Sequence, residues 1–351
     1  MDVTALMSFL AGLAALILGA DLLVRGASRM ARRLAVSPLA IGLTVVAFGT
    51  SAPELAVSLR SALVDRADLA MGNVVGSNVF NVLLILGASS LVRPLAIERK
   101  LVRLDVPLMI ALSALVWILA LDGRLSRWEG GSLFAGVLAY TTLLLLGSRR
   151  EARARATESG TKPAAPRLSS ALIASAAGLL ALVFGARWLV AGSVAIARAL
   201  GLSELVIGLT LVAAGTSLPE AATSIVAALR GERDLAVGNI VGSNVFNLLA
   251  VLGGSAVLAP HGLEVSASLL RFDLPVMVGA AVVCLPVFFT GWHTERWEGA
   301  LLVACYGLYV ACLVLGAAAS PRLPPAIVVM LGLALPLTGA TLLQAVLRAR
   351  R

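Results

Sequence analysis

Two glutamates, Glu54 and Glu220, stand deep in otherwise apolar runs, each directly after a proline: GTSAPEL at 49–55 and GTSLPEA at 215–221. An acidic side chain at the centre of a membrane helix costs about 2.5 to 3.5 kcal/mol on insertion scales, so one such residue needs a reason and two at matching places point to a shared site. Helical spacing gathers oxygen donors around them. Ala47, Thr50, Ser51 and Glu54 fall on one helix face, as do Ala213, Thr216, Ser217 and Glu220. Asn73, Ser77 and Asn81 recur every fourth residue on the next run, and Asn239, Ser243 and Asn247 repeat that stripe. Pro53 and Pro219 each remove a backbone donor and crowd the carbonyl four residues back, which predicts broken helices with freed carbonyls near Ala47, Gly49, Ala213 and Gly215. Asn73, Asn78, Asn239 and Asn244 fit equally well as hydrogen-bonding glue between helices.

All of these donors are hard oxygens. Calcium takes about six to eight of them in flexible geometry, whereas zinc and copper favour His or Cys. Both histidines, His261 and His293, lie outside these segments, and Cys284, Cys305 and Cys312 show no ligand spacing. The donor set suits calcium or an alkali cation. With both Glu ionised, the site's charge balances one Ca2+ or two monovalent ions. No Ser/Lys, paired-Asp or His/Glu metal constellation lies at span depth, which speaks against an intramembrane hydrolase.

The elements that position these residues are duplicated. GLTVVAFGTSAPEL at 42–55 returns as GLTLVAAGTSLPEA at 208–221, and GNVVGSNVFNVL at 72–83 as GNIVGSNVFNLL at 238–249, both at an offset of 166. Gly19 and Gly26 align with Gly185 and Gly192; Trp128-Glu129-Gly130 aligns with Trp297-Glu298-Gly299. Each half holds five apolar runs, an odd number, so the second half enters the membrane from the opposite side. Such inverted repeats place a site near the midplane, between the halves.

Composition agrees. The chain has 351 residues, 59% of them hydrophobic and 13% charged, with mean hydropathy +0.97. A soluble domain carries about 25% charged residues, so a soluble globule and a disordered chain are both excluded. The fold class is an all-α polytopic membrane protein. Spans are expected near 5–24, 37–62, 69–91, 103–121, 128–147, 170–197, 203–229, 235–258, 270–290 and 297–316, with an additional C-terminal helix at 324–347. The domain reading is 1–147 as the first five-helix repeat, 148–169 as a cytoplasmic linker, 170–316 as the inverted second repeat, and 317–351 as the extra helix and basic tail. With the N-terminus outside, twenty Lys and Arg face inward and seven outward, which sets the C-terminus in the cytoplasm. The net charge of +9 therefore reads as topology and lipid contact rather than nucleic-acid binding. Asp105 and Asp273, near span starts, read as interfacial, and Asp21 is not paired with Arg187.

At the paired GTSxPE and GSNVFN motifs the sequence resembles the sodium/calcium exchanger family of the cation/calcium antiporters. The resemblance covers about residues 5–316. It implies a ten-helix inverted-repeat core, a central ion site, and sliding of the first and sixth helices across it. It makes Glu54 and Glu220 the main cation ligands. Thr50, Thr216, Ser51, Ser217, Ser77, Ser243, Asn81 and Asn247, with the Ala47 and Ala213 carbonyls, would complete adjoining sites. Some members carry Asp at the Asn81 or Asn247 position; here both are Asn, leaving two carboxylates rather than three. The implied activity is sodium/calcium antiport, with proton/calcium antiport and a cation channel as alternatives. No cofactor is implied, the partners are inorganic cations and lipid with no obligatory protein partner, and the place is a prokaryotic inner membrane.

Overall fold

The computed structural model describes residues 3–159, 167–201, 207, 211, 213–289 and 291–317. The expected helix at 324–347, nearly all of 202–212 at the start of the span expected at 203–229, and residues 160–166 of the expected linker lie outside these. The architecture is helical throughout: α1 (Val3–Leu34), α2 (Pro38–Thr50), α3 (Ala52–Leu63), α4 (Ala67–Val92), α5 (Leu101–Asp122), α6 (Arg127–Ser159), α7 (Leu168–Ala199), α8 (Leu218–Arg230), α9 (Arg233–Leu258), α10 (Leu269–Phe289) and α11 (Arg296–Ala317). A two-residue strand pair, Arg124–Leu125 against Leu263–Glu264, ties the α5–α6 turn to the α9–α10 turn. Eight of the described helices are long and apolar enough to cross a bilayer, nine when α2 and α3 count as one broken span.

The order of burial places the site. In α4 and α9, 72% and 94% of the apolar window is enclosed, against 28% in both α1 and α7. The two helices with Asn-Ser-Asn stripes are thus the centre of the bundle, and their polar residues face protein rather than lipid. The long helices α1 and α7 lie outside and pack antiparallel. Their seam is made of glycines seven residues apart: a Cβ on Gly12 would fall on the backbone of Leu189 and Gly185, and one on Gly19 would come within 2.9 Å of the Gly178 carbonyl and the Leu182 nitrogen. Small residues let the two backbones touch, which in lipid is a main source of helix affinity.

Several boundaries differ from the sequence expectation. The first span, read as 5–24, runs to Leu34, because Arg25–Met30 continues the helical pattern past the apolar core. The fifth, read as 128–147, continues to Ser159. The start of the 148–169 linker is therefore helical: its Arg-, Glu- and Ala-rich sequence favours helix wherever water can reach it. The repeated Trp-Glu-Gly motif marks helix starts. Glu129 Oε2 accepts from the Ser126 backbone N–H at 2.8 Å and Ser126 Oγ at 2.7 Å, and Glu298 Oε2 accepts from the Glu295 N–H at 2.7 Å. These side-chain caps satisfy a backbone donor at the start of α6 and of α11. The adjoining Gly130 and Gly299 then allow close packing on Gly253 and Gly87.

Candidate cation site

The break expected before Pro53 is present. α2 and α3 meet at Ser51, where the chain bends by 48°. The corresponding turn of the second half lies at Thr216-Ser217, just before α8. Each turn delivers a Thr, a Ser and, one helical turn later, a Glu to the interior. Glu54 and Glu220 are fully buried, as are Thr50 and Ser51, and Ser217 is nearly so.

The two halves hold each other's carboxylates. Ser51 Oγ donates to Glu220 Oε1 at 2.9 Å, and Ser217 Oγ donates to Glu54 Oε1 at 2.8 Å. Thr50 Oγ1 lies 3.1 Å from Asn239 Oδ1, and Thr216 Oγ1 lies 3.3 Å from Asn73 Oδ1. Asn73 in turn donates to Ser58 Oγ at 2.9 Å and Asn239 to Ser224 Oγ at 2.9 Å. Ser77 joins through Ser217 Oγ at 3.0 Å.

Asn81 and Asn247 sit in π-helical turns within α4 and α9 (Phe80–Leu86 and Asn247–Leu252), a distortion that is frequent at functional sites. Their amide groups are fixed crosswise: Asn81 Nδ2 donates to Asn244 Oδ1 at 3.1 Å, and Asn247 Nδ2 to Asn78 Oδ1 at 3.2 Å. Asn244 Nδ2 is itself 3.3 Å from Met109 Sδ, and Asn78 Nδ2 is 3.7 Å from Met277 Sδ. With each amide nitrogen committed, the side-chain oxygens of Asn81 and Asn247 are left over.

On the residues picked out by the paired motifs, five buried oxygens have no hydrogen-bond partner among the described residues: Glu54 Oε2, Glu220 Oε2, Asn81 Oδ1, Asn247 Oδ1 and Ser243 Oγ. An orphaned buried acceptor costs about 1 to 3 kcal/mol, more when charged. Five together, from both halves and all hard donors, fit a dehydrated metal cation as cargo. One expectation is corrected. The Ala47 carbonyl is not freed by the proline: it accepts from the Ser51 N–H at 3.0 Å and from Thr50 Oγ1 at 3.3 Å. Pro53 lacks its own donor, but the bend falls two residues earlier, so the Ala47 bond survives. In the second half the Ser217 N–H goes to the Ala214 carbonyl at 3.2 Å instead of to Ala213.

The sequence stripe did not separate Asn78 and Asn244 from glue, and it missed Ser58, Ser224, Met109 and Met277 altogether. The first two repeat at the 166-residue offset, which was the available signal.

The network is not symmetric in its surroundings. A cavity of about 550 Å³ reaches Asn73, Ser77 and Thr216 from the end of the bundle that carries Ser61 and Asp68. Gly72 and Gly76, on its wall, are partly exposed. Their repeat partners are packed shut: a Cβ on Gly238 would lie 2.9 Å from the Leu39 carbonyl, and one on Gly242 2.7 Å from Leu43 Cα.

Comparison with known proteins gives a consistent picture. A family model described as sodium/calcium exchanger protein matches residues 4–146 and 170–315. The putative antiporter CaxA of Alkalimonas amylolytica is 39% identical over 280 residues, covering 79% of this chain and 87% of its own length. The sodium/calcium exchanger MaX1 of Methanosarcina acetivorans is 34% identical over 340 residues, covering 87% and 97%. Among solved structures, the sodium-calcium exchanger NCX_Mj soaked with 2.5 mM Na+ and 0.1 mM Ca2+ superposes with a TM-score of 0.74 at 29% identity, covering 92% of this chain and all of that one.

Proposed function

The chain belongs to the sodium/calcium exchanger protein family, multi-pass membrane transporters and not enzymes, and from that premise we propose that it exchanges sodium for calcium by alternating access at Glu54 and Glu220. The observation that carries this reading is the set of five buried oxygens, on Glu54, Glu220, Asn81, Asn247 and Ser243, without a hydrogen-bond partner among the described residues, with each carboxylate bonded to a serine of the other half. In it, Glu54 and Glu220 bind calcium directly. Ser77, Ser243, Asn81, Asn247, Thr50, Thr216, Ser51 and Ser217 supply the remaining contacts and the adjoining sodium positions; the Ala47 and Ala213 carbonyls join them only where the bonds Ala47 accepts from Ser51 N–H and Thr50 Oγ1 give way.

Coupling follows from electrostatics. Calcium or sodium neutralises two carboxylates that are otherwise buried with no basic side chain bonded to them among the described residues, at a cost of several kcal/mol per ion. A loaded site can pass between faces; an empty one is held back by its own charge. A ligand shifts a conformational equilibrium only through different affinities for the two states, so exchange replaces leak. The first half (1–147) and the inverted second half (170–316) are the moving parts, joined by the 148–169 segment. With the N-terminus outside, the cavity at Ser61 and Asp68 opens away from the cytoplasm of a prokaryotic cell.

The test is calcium uptake into proteoliposomes with an outward sodium gradient, and separately with a pH gradient alone. Sodium-driven uptake that vanishes in both Glu54→Ala and Glu220→Ala is expected. Uptake driven only by the pH gradient makes protons the coupling ion. Wild-type flux in either variant rejects the site, and flux without any counter-ion makes the protein a channel.

A further inference from the structure

A second pair of carboxylates is related by the same inversion. Asp105 closes a π-helical turn at the start of α5, and Asp273 does so at the start of α10. Each is held by a tyrosine of the next long helix: Tyr140 OH donates to Asp105 Oδ1 at 3.0 Å, and Tyr309 OH to Asp273 Oδ1 at 2.8 Å. The sequence suggested interfacial side chains. Both are buried within the protein at those span starts: Asp105 is 3% exposed and Asp273 8%.

A buried Tyr–Asp bond can be no more than a clamp between neighbouring helices. Two observations go further. Asp273 and Tyr309 line the cavity of about 550 Å³ that also touches Asn73, Ser77 and Thr216, so a cation moving through it to the central network passes this carboxylate. On the closed side, Asp105 Oδ2 is buried with no hydrogen-bond partner among the described residues, and Lys100 is a charged neighbour that a cation arriving there would displace. A clamp needs only one oxygen; a desolvated second oxygen is an acceptor waiting for a ligand.

We propose that Asp273 and Asp105 are outer cation stations, one for each face of the membrane, which bind the metal ion in transit between solvent and the central site. The inference rests on the central-site reading above. The carboxylate and the phenol oxygen beside it are hard donors that suit calcium or sodium. Low-dielectric cavity walls focus the field of the charge and concentrate cations at the mouth, where exposed Asp68 adds to it. The inversion makes the stations alternate: Asp273 is reachable when the Ser61 face is open, Asp105 when the other is.

The experiment is initial calcium flux against calcium concentration, measured from each face in vesicles of right-side-out and inside-out orientation. Asp273→Asn raises the half-saturating calcium at the cavity face by about tenfold and flattens its dependence on ionic strength. The opposite face keeps its value. Asp105→Asn does the reverse. Equal shifts at both faces, or none at either, overturn the proposal and leave the pairs as helix clamps. Should Asp273→Asn fail to accumulate in the membrane, Tyr309→Phe carries the test. It retains the charge but frees Asp273 Oδ1, and it must alter half-saturation at the cavity face alone; an equal change at both faces is again the overturning result. Failure of the underlying reading looks different: Glu54→Gln then transports like wild type, whatever the two Asp variants do.

Discussion

Asn244 binds no cargo in the proposed scheme, yet it decides which way Asn81 points. Its Oδ1 accepts from Asn81 Nδ2 at 3.1 Å, and that bond turns the Asn81 carbonyl oxygen into the network. Asn244→Ala removes the anchor, and the loss of a hydrogen bond of about 1 kcal/mol predicts a rise in half-saturating calcium of about five- to tenfold. Isotope-flux titration measures it. Asn78→Ala acts through Asn247 in the same way. At this scale the sequence displayed the donor types well. Glu54, Glu220 and the hydroxyls were readable because charge and polarity are costly in lipid. The amide pairing was not, because it joins residues 163 and 169 apart, and no local spacing encodes a partner in the other half.

The helices add a second constraint, most visible where α1 and α7 touch. A side chain at Gly19 would collide with the Gly178 carbonyl and the Leu182 nitrogen, which are fixed backbone atoms. Gly19→Leu therefore forces the pair apart; overpacking of this kind costs about 1 to 3 kcal/mol. The expected outcome is a lower melting temperature in detergent and flux reduced more than tenfold if the seam must slide. Gly279→Ala, with nothing within 4 Å of the added carbon among the described residues, leaves both unchanged. The break at Thr50-Ser51 was legible, since a proline in an apolar run has few structural outcomes. The π-helical turns around Asn81 and Asn247 were not, because hydrophobic periodicity records which face is buried and not which carbonyl each N–H chooses.

For the whole molecule, the near-identity of the two motif sets implies two mirror-related states and is silent on which is favoured. Small differences decide that. One is an ion pair: Asp21 of α1 contacts Arg230 at the end of α8 as well as Arg25. The repeat partners of Asp21 and Arg230, at the 166-residue offset, are Arg187 and Val64, which cannot make that pair. The contact ties the outer helix to the interior on one side only, and it accompanies the state in which the Gly238–Gly242 seam is shut. Accessibility reads this directly. Val57 lines the open cavity and is 43% exposed, whereas its repeat partner Thr223 is 1% exposed. In a background with Cys284, Cys305 and Cys312 replaced by Ala, a hydrophilic thiol reagent is expected to modify Val57→Cys rapidly and Thr223→Cys slowly. Adding Arg230→Gln removes an interaction of up to about 1 kcal/mol, and so moves the balance between states by about fivefold. Labelling at Val57→Cys then slows while labelling at Thr223→Cys quickens. If both rates move in the same direction, the pair stabilises the fold as a whole rather than one face of it.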